Sequence, residues 1–397
     1  MMERKKIRVL YIASSDAGTG GSGKSLCEMV ELLKKSYDVS PIVINTNHNN
    51  LNCILDQAGI ENYSARYKMN ICQEEPSKIK TYIKYIIKYL IYCIATPFSL
   101  YKIEKTIDLK SIDVIHINNS TQDIGALLGK RHNIPVVWHI REFGEKDFNF
   151  LYFKSNMAKY ISDNATKVIA ISDAIKKEWL EKGIDSKKIV TIMHGINPEG
   201  IHMADHNNEK VRIIFSGRII KQKGQEAFID SLAKLPDKTK CVISVDFFGT
   251  GDAQYLSFLN EKVDKLNLKQ VVCFKGYTKN IKEKLPHYDI GVVNSRCEGM
   301  GRTTIEYMAA GLCVLASNRG ANLEIIDNGK TGYIYDIEDS DSLIRIIETL
   351  CSDRKKIVFV GERARQKALT QYSILNNVFA YRKVYEEIVW EKYRNAL

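Results

Sequence analysis

The sequence predicts an α/β protein built from two doubly wound parallel sheets. Its 397 residues exceed one ordinary hydrophobic core and correspond to two domains of about 200 residues each. Short apolar runs alternate with amphipathic helical patterns along most of the chain, as in parallel strands joined by helical crossovers. Because ligands of such sheets bind at the carboxyl ends of the strands, the polar residues that follow each strand are candidate site residues.

Composition favours a globular protein of a reducing compartment. Apolar residues make up 45% of the chain, and its nine cysteines contain no C-x-x-C pair, so they predict neither a zinc site nor a disulfide framework. No signal peptide precedes the first predicted strand, and we expect a cytoplasmic protein. The net charge of +11 is compatible with anionic lipid or an anionic substrate, whereas no nucleic-acid-binding motif is present.

Six apolar runs in the first half of the chain predict buried parallel strands, with helices such as 24–35 and 173–182 between them. The predicted strands are 7–13, 39–44, 114–117, 135–140, 167–171 and 189–193.

Residues 18–25, GTGGSGKS, match the phosphate-loop pattern G-x-x-x-x-G-K-[ST] between a strand and a helix. This motif predicts a nucleoside triphosphatase in which Lys24 holds the phosphates and Ser25 holds magnesium. No later predicted strand ends in the acidic residue that such a site needs, because the best candidate, 114–117, is followed by asparagines. A nucleoside triphosphatase therefore stays as an alternative function.

In the second half, residues 294–336 carry the richest pattern: a glycine loop, a helix and a strand follow one another directly after an apolar run. Gly299 and Gly301 allow backbone conformations that other residues avoid. Such a loop directs backbone N–H groups and the positive end of the helix toward one point, which suits a phosphate. Glu298 and Glu306 can accept hydrogen bonds from sugar hydroxyls. Together these features predict a nucleotide-sugar site.

This stretch resembles the retaining glycosyltransferases of family 4. Glu298, seven further residues and Glu306 are followed by A-A-G-x-x-V, by Gly320 and Glu324, and by G-x-T-G at 329–332. The resemblance implies the GT-B fold, in which two Rossmann-like domains face a cleft. It further implies an acceptor-binding domain at 1–195, a nucleotide-sugar-binding domain at 196–372, and a helix at 373–397 that crosses back to the first domain.

The resemblance implies a role for each candidate residue of the second domain. Glu298 would hold hydroxyls of the donor sugar and Glu306 those of the ribose, while Arg218 and Lys223 would pair with the diphosphate. Further donor contacts are implied for Gly276, Tyr277, Gly299, Met300, Gly301, Arg302 and Thr303.

In the first domain, the resemblance implies that His139 faces the anomeric carbon of the donor. A structural histidine bonded within the sheet is the alternative. Arg141 and Glu142 follow it and are candidates for acceptor contacts. Gly20 and Gly21 would bring backbone N–H groups to the donor phosphates and the acceptor.

The implied activity is sugar transfer with retention, without metal or cofactor, from a nucleotide-diphosphate sugar, with a preference for UDP. The implied acceptor is a glycan or lipid-linked molecule of cell-surface polysaccharide or glycolipid biosynthesis. Basic side chains and loop amides would stabilise the leaving diphosphate, and the donor phosphate would receive the acceptor proton in a front-face attack. A nucleotide-sugar epimerase of the same fold and a non-catalytic binding protein are further alternatives.

Residues 78–110 differ in kind, because isoleucines and tyrosines are interrupted there by lysines such as Lys84 and Lys88. The run is too interrupted for a spanning segment and predicts a basic amphipathic helix. Two interpretations stay open: a helix packed on the fold with its lysines reaching solvent, or a helix on an anionic membrane at the inner face of the plasma membrane.

Overall fold

The protein is described by a computed structural model that covers residues 6–13, 21–207 and 209–394. The chain divides into two units: unit 1 holds residues 1–194 and 375–397, and unit 2 holds residues 195–374. The sequence prediction places the domain boundaries after residues 195 and 372.

The described part of unit 1 forms a seven-stranded parallel sheet and a separate antiparallel pair of short strands. Its strands are β1 (Ile7–Ile12), β2 (Val39–Asn45), β3 (Glu61–Ser64), β4 (Ile71–Gln73), β5 (Val114–Ile117), β6 (Val136–Ile140), β7 (Phe150–Tyr152), β8 (Lys167–Ala170) and β9 (Ile189–Thr191). The sheet order is β3-β2-β1-β5-β6-β8-β9, and β4 pairs with β7. Every residue of β5 and β6 is buried, which explains why these strands are continuous apolar runs interrupted only by single polar residues.

Helices lie in the connections between these strands, as parallel pairing requires. They are α1 (Gly21–Ser36), α2 (Asn50–Gln57), α3 (Lys78–Thr106), α4 (Ile124–His132), α5 (Glu145–Phe148), α6 (Met157–Asn164) and α7 (Asp173–Glu181). Local sequence sets their starts: the hydroxyl of Ser77 accepts the backbone N–H of Lys80 at the start of α3, and that of Ser172 accepts the N–H of Ile175 in α7.

Unit 2 repeats the plan with a six-stranded parallel sheet in the order β12-β11-β10-β13-β14-β15. Its strands are β10 (Val211–Ser216), β11 (Ile243–Phe248), β12 (Val272–Gly276), β13 (Ile290–Val293), β14 (Cys313–Ser317) and β15 (Tyr333–Tyr335). Its helices are α8 (Gln225–Ala233), α9 (Asp237–Lys240), α10 (Ala253–Lys265), α11 (Ile281–Lys284), α12 (Arg302–Ala309), α13 (Asn322–Ile325), α14 (Ser340–Ser352) and α15 (Arg354–Gln371).

The core of unit 2 lies between this sheet and its helices. Phe215 and Phe247 on neighbouring strands pack with ring centroids 5.2 Å apart, and Phe228 of α8 covers both. Aromatic clusters of this kind hold the strands firmly. The carboxyl end of β10 is therefore a fixed point from which the following loop projects.

The last helix, α16 (Ile374–Arg394), packs on unit 1. Tyr381 and Tyr385 are fully buried, and the Tyr385 hydroxyl lies 2.8 Å from Nδ1 of His116 and 3.1 Å from the Tyr11 hydroxyl. Burial of these rings removes a large apolar area from water. Two parallel α/β sheets are thus present, and the predicted fold class is confirmed.

Candidate functional site

The candidate site of unit 2 begins where the strand order of its sheet reverses. β10 pairs with β11 on one side and with β13 on the other, so crossovers leave β10 in both directions. In open α/β sheets, the carboxyl ends of the strands at such a switch point flank a crevice that binds ligands. Gly217 and Arg218 follow β10, and Asn294 and Ser295 follow β13.

Lys223 and Glu298 meet at this point. The Lys223 Nζ lies 2.8 Å from Oε2 of Glu298 and 3.2 Å from Oγ of Ser295, and the Ser295 hydroxyl donates to the same carboxylate oxygen at 2.7 Å. The backbone N–H of Gly301 donates to the other oxygen, Oε1, at 3.2 Å. These residues form a cluster of one cation, one anion and two neutral donors.

The Glu298 carboxyl is ionised despite its depth. Burial alone would raise its pKa, but the charge of Lys223 and the hydrogen bonds from Ser295 and Gly301 outweigh burial and hold the pKa below its ordinary value. Its side chain is 13% exposed and that of Lys223 is 30% exposed. The pair is therefore shielded yet reachable by a ligand.

Two glycines allow the loops to come this close. Gly224 has φ of +74°, and a Cβ there would lie 2.3 Å from the carbonyl oxygen of Asn294. Gly320 has φ of +59°, and its Cβ would lie 2.1 Å from the carbonyl oxygen of Glu298. Both the left-handed backbone and the missing side chain are required. These glycines allow Lys223 and Glu298 to approach within hydrogen-bonding distance of each other.

The second glutamate lies on the helix that follows the loop. α12 begins after Gly301, and Arg302 in its first turn places Nε 2.9 Å from Oε1 of Glu306. The hydroxyl of Tyr307 accepts the backbone N–H of Ser216 at 2.6 Å, which ties α12 to the end of β10. The glycine loop, the N-terminus of α12 and both glutamates are thus held in position relative to the end of β10.

Other predicted donor residues of unit 2 lie on the surface around this cluster. Arg218 is exposed, and within the described residues its side chain makes no hydrogen bond or ion pair. Tyr277 is 61% exposed and follows Gly276, the last residue of β12. Gly299, Met300 and Thr303 are half-buried in the loop and first turn. The structure brings Lys223, Glu298 and Gly301 together directly, and Arg302 with Glu306.

Sequence reasoning missed two residues of this cluster. Ser295 bonds both members of the Lys223–Glu298 pair. Asn294 donates to the carbonyl oxygen of Gly224 at 2.8 Å and accepts from the Tyr335 hydroxyl at 2.7 Å. Their signal was position, because they are the first polar residues after a buried strand.

In unit 1, His139 lies in a buried aromatic cluster. It is fully buried, with Nε2 3.4 Å from the Tyr381 hydroxyl and Nδ1 3.5 Å from the guanidinium of Arg141. Burial, with the charge of Arg141, holds its pKa well below the ordinary value. The environment resembles that of a structural histidine, and its role at the anomeric carbon stays a prediction.

Glu142 is also buried. Its carboxylate accepts the backbone N–H and the hydroxyl of Ser120 and the N–H of Arg141, and burial nevertheless raises its pKa. It fixes the loop after β6, and its predicted acceptor contact is untested. Gly21 is the exposed first residue of α1, where a Cβ would meet nothing within 4 Å. The prediction for Gly20 lies outside the described residues.

Burial of His116 in unit 1 predicts a contribution to stability that depends on pH. Burial, followed by the charge of Arg141, lowers the pKa of His116 from 6.5 to about 3. Because the unfolded chain binds this proton more readily, stability present above pH 6.5 is lost as the pH falls toward 3. Buried carboxyls such as Glu142, whose pKa is raised, act in the opposite direction, so denaturant titrations between pH 7 and pH 4 should compare the wild type with a His116 variant. His116→Asn, which keeps an acceptor for Tyr385, should reduce the slope, and an unchanged slope would contradict the assignment.

Among the described residues, no group of three or more histidine, cysteine, aspartate or glutamate side chains is arranged to hold a metal ion.

Two parallel α/β units, with a basic, glycine-lined site at the switch point of the second sheet, define the class of GT-B glycosyltransferases. The chain belongs to the group 1 glycosyltransferases: the family model "Glycosyl transferases group 1" matches residues 204–367, and "Glycosyltransferase Family 4" matches residues 70–199.

Individual relatives agree with this assignment. An uncharacterised glycosyltransferase of Methanocaldococcus jannaschii is 27% identical over 312 residues, which cover 76% of this chain and 81% of the relative. An Escherichia coli protein named UDP-Gal:alpha-D-GlcNAc-diphosphoundecaprenol alpha-1,3-galactosyltransferase is 24% identical over 326 residues, 76% of this chain and 82% of the relative. The crystal structure of Anabaena HepE with UDP-glucose superposes with a TM-score of 0.76 at 18% identity, covering 96% of this chain and 100% of HepE.

The prediction that the chain is a glycosyltransferase is therefore confirmed. The alternatives of a phosphate-loop triphosphatase, an epimerase and a non-catalytic protein are set aside in its favour. Of the phosphate-loop pattern, only residues 21–25 are described, and they form the first turns of α1 with Lys24 exposed.

Proposed function

We propose that the chain is a retaining, metal-independent hexosyltransferase that moves a sugar from a UDP-sugar to a glycan or lipid-linked acceptor in cell-surface polysaccharide or glycolipid biosynthesis. The observation that carries the proposal is the convergence of Lys223, Glu298 and the N-terminus of α12 at the switch point of unit 2. The names of similar proteins support the donor and the kind of acceptor: the E. coli relative is named for UDP-Gal and a diphosphoundecaprenol-linked sugar, and HepE was crystallised with UDP and with UDP-glucose.

The donor diphosphate would take the basic side chains. Lys223 offers a point charge and Arg218 a planar fork, which together suit a group with several oxygens. The loop amides and the N-terminus of α12 add positive potential. Glu306 has one oxygen engaged by Arg302, and the other can accept hydrogen bonds from ribose hydroxyls.

The ion pair between Lys223 and Glu298 would be broken when the donor binds. The diphosphate replaces the carboxylate as the partner of Lys223, and the sugar hydroxyls replace Lys223 as donors to Glu298. Each charge then keeps a partner, so neither is left unpaired in a shielded site. The pair seen here holds both side chains in position before the donor arrives.

The transfer step follows from this placement. The acceptor hydroxyl oxygen attacks the anomeric carbon on the face from which UDP departs, the bond from that carbon to the phosphate oxygen breaks, and a phosphate oxygen takes the acceptor proton. Negative charge grows on the diphosphate, and Lys223 and Arg218 stabilise it electrostatically. These cations supply what a metal ion supplies in other transferases, which is the basis for proposing metal independence. His139, Arg141 and Glu142 keep their predicted roles as part of the proposal.

The proposal places the reaction in the cytoplasm. All nine cysteines lie in the described residues and none forms a disulfide, although Cys53, Cys93, Cys241 and Cys273 are exposed. Exposed thiols suit a reducing compartment.

Donor screening tests the proposal. UDP and one UDP-sugar are expected to raise the melting temperature. The UDP-sugar should be hydrolysed slowly to UDP and free sugar in the presence of EDTA, and the transferred sugar should keep its anomeric configuration by NMR. GDP-sugars and ADP-sugars serve as controls. One that carries the same sugar as the UDP-sugar differs from it in the base alone, and the others differ in both base and sugar. Loss of transfer in EDTA, inversion of the anomeric centre, or indifference to every UDP-sugar would each contradict a separate part of the proposal.

A further inference from the structure

We infer that the outward face of α3 binds the surface of an anionic lipid bilayer. This inference goes beyond the proposed transfer reaction, and its test does not measure transfer. It begins with exposure: Ile79, Phe98 and Ile94 in α3 are 74%, 72% and 65% exposed. Isoleucine and phenylalanine side chains are normally among the most buried in a folded protein.

One face of α3 is firmly attached to unit 1. The Tyr92 hydroxyl donates to the buried carboxylate of Asp123, and Phe153 packs against the ring of Tyr92 with centroids 5.4 Å apart. Leu100 and Ile103 are buried in the second half of the helix. These contacts recur at helical spacing, so they fix which way α3 faces along its whole length.

The opposite face carries a continuous apolar stripe. Its members recur three or four positions apart, which places them on one side of a helix. They are Ile79, Ile83, Ile86, Leu90, Ile94, Phe98 and Tyr101, and each is at least 40% exposed. Soluble monomers rarely expose a contiguous apolar surface of this length unless it binds something.

The charges beside the stripe are positive. Three lysines, Lys80, Lys84 and Lys88, and one acidic residue, Glu75, line an open groove of about 490 Å³ whose apolar wall is Ile83 and Ile87. Lys84 is paired with Glu75, whereas Lys80 and Lys88 make no ion pair within the described residues. An apolar wall beside free ammonium groups matches a phospholipid, whose headgroup phosphate lies next to its acyl chains.

The sequence of α3 argues against a second copy as the occupant. Its only acidic residue is Glu104, and that carboxylate is engaged by Arg131 and His132. Glu75, which lines the groove, is already paired with Lys84. Two copies of the face would therefore bring lysine rows together with no acidic row to oppose them, and like charges at an interface are costly. An anionic bilayer supplies the missing negative charge.

The depth of binding follows from the same contacts. By length and composition, α3 is the one helix in the described part of the chain that could cross a membrane, and 22% of its most apolar window is buried. A spanning helix would have to give up the contacts of Tyr92, Leu100 and Ile103 with unit 1. With those contacts kept, α3 lies in the plane of the interface, with its exposed tyrosines, Tyr82, Tyr89 and Tyr101, at headgroup level.

Vesicle sedimentation with the full chain tests the inference. We expect binding to mixed phosphatidylcholine–phosphatidylglycerol vesicles, little binding to pure phosphatidylcholine, and release in high salt. Each lysine near an anionic surface strengthens binding about fivefold, so Lys80→Glu with Lys88→Glu should lower the partition coefficient at least about 25-fold. The control, Lys177→Glu with Lys187→Glu, makes the same charge change at exposed positions of unit 1 outside α3 and should bind like the wild type.

The apolar stripe is tested separately. Leu90→Gln with Ile94→Gln should weaken binding at least about tenfold, because two exposed side chains lose their transfer to the bilayer. Phe359→Gln, at an exposed position of α15, is the control for loss of an exposed apolar side chain away from α3. Circular dichroism and melting curves confirm that each variant is folded.

Three results would overturn the inference. Equal binding to neutral and anionic vesicles, or none to either, removes the anionic bilayer as the ligand. Binding that resists high salt and alkaline carbonate indicates a spanning helix. A dimer in sedimentation velocity that Leu90→Gln with Ile94→Gln dissociates, in protein that ignores vesicles, assigns the face to a second copy.

Discussion

Replacing Lys223 with alanine is expected to lower kcat/KM for sugar transfer by about 10²–10³-fold and to weaken donor binding. The ammonium lies at the carboxyl ends of β10 and β13, where the proposed diphosphate develops negative charge. Interactions that strengthen in the transition state affect turnover as well as affinity. Steady-state kinetics with the donor found by screening, and calorimetric titration with UDP, separate the two effects.

Lys221→Ala is the matched control. Lys221 and Lys223 lie in one short 3₁₀ turn, Lys221–Lys223. Lys221 is exposed and makes no ion pair within the described residues. It should retain near wild-type kinetics. Arg218→Ala should resemble Lys223→Ala in direction, since both are proposed to contact the diphosphate. If Lys223→Ala matches Lys221→Ala in kinetics and UDP affinity, the donor site lies elsewhere.

The same substitution has a structural effect that must be measured beside the kinetics. Without Lys223, the shielded Glu298 carboxylate loses its cation, and burial then raises its pKa. Breaking such a pair costs about 1–3 kcal/mol of unfolding free energy. The double variant Lys223→Ala with Glu298→Gln should recover part of that stability without recovering activity.

Glu298→Gln and Glu306→Gln are expected to damage different steps. Glu298→Gln should lower kcat by about 10²-fold while UDP still binds, because its proposed partners are sugar hydroxyls. Glu306→Gln should weaken UDP itself by about tenfold, since a charge-assisted hydrogen bond to the ribose becomes a neutral one. The Arg302 contact with Glu306 should weaken at the same time.

The measurements are UDP affinity and single-turnover rates for both variants. Glu283→Gln on α11, exposed and without an ion pair in the described residues, is the control for a lost surface charge. Glu298 also anchors Ser295 and the N–H of Gly301, so melting curves must show that its loop is intact. Equal loss of UDP affinity in both variants would contradict this division of roles.

Much of the fold could be predicted from local sequence. β5 coincides with the predicted run 114–117, because a buried parallel strand is apolar on both faces and stands out from its neighbours. β3 and β15 escaped prediction. β3 has four mostly polar residues and β15 has only three residues, and pairing with an adjacent strand is what makes each of them a strand.

The candidate site divides in the same way. Lys223, Glu298 and Glu306 could be selected from sequence because a strand, a glycine turn and a helix start are local features. Ser295 could not be singled out, since its importance depends on Lys223, which lies 72 positions away in the chain. His139 lies near the carboxyl end of β6 and Glu142 follows that strand, as ligand-binding residues do. Both are nevertheless buried, His139 by α16 and Glu142 by the loop after β5.

The sequence by itself therefore determined the class of fold, the positions of most of its longer strands, and the family to which the chain belongs. Those depend on periodicity and spacing over a few residues. Only the tertiary structure decided which polar groups are shielded, which charges meet, and which face of α3 is left outside. These depend on residues far apart in the chain, such as Tyr381 over His139 and Asp123 beneath Tyr92. Burial depends on how the whole chain packs, so a local sequence pattern does not determine it.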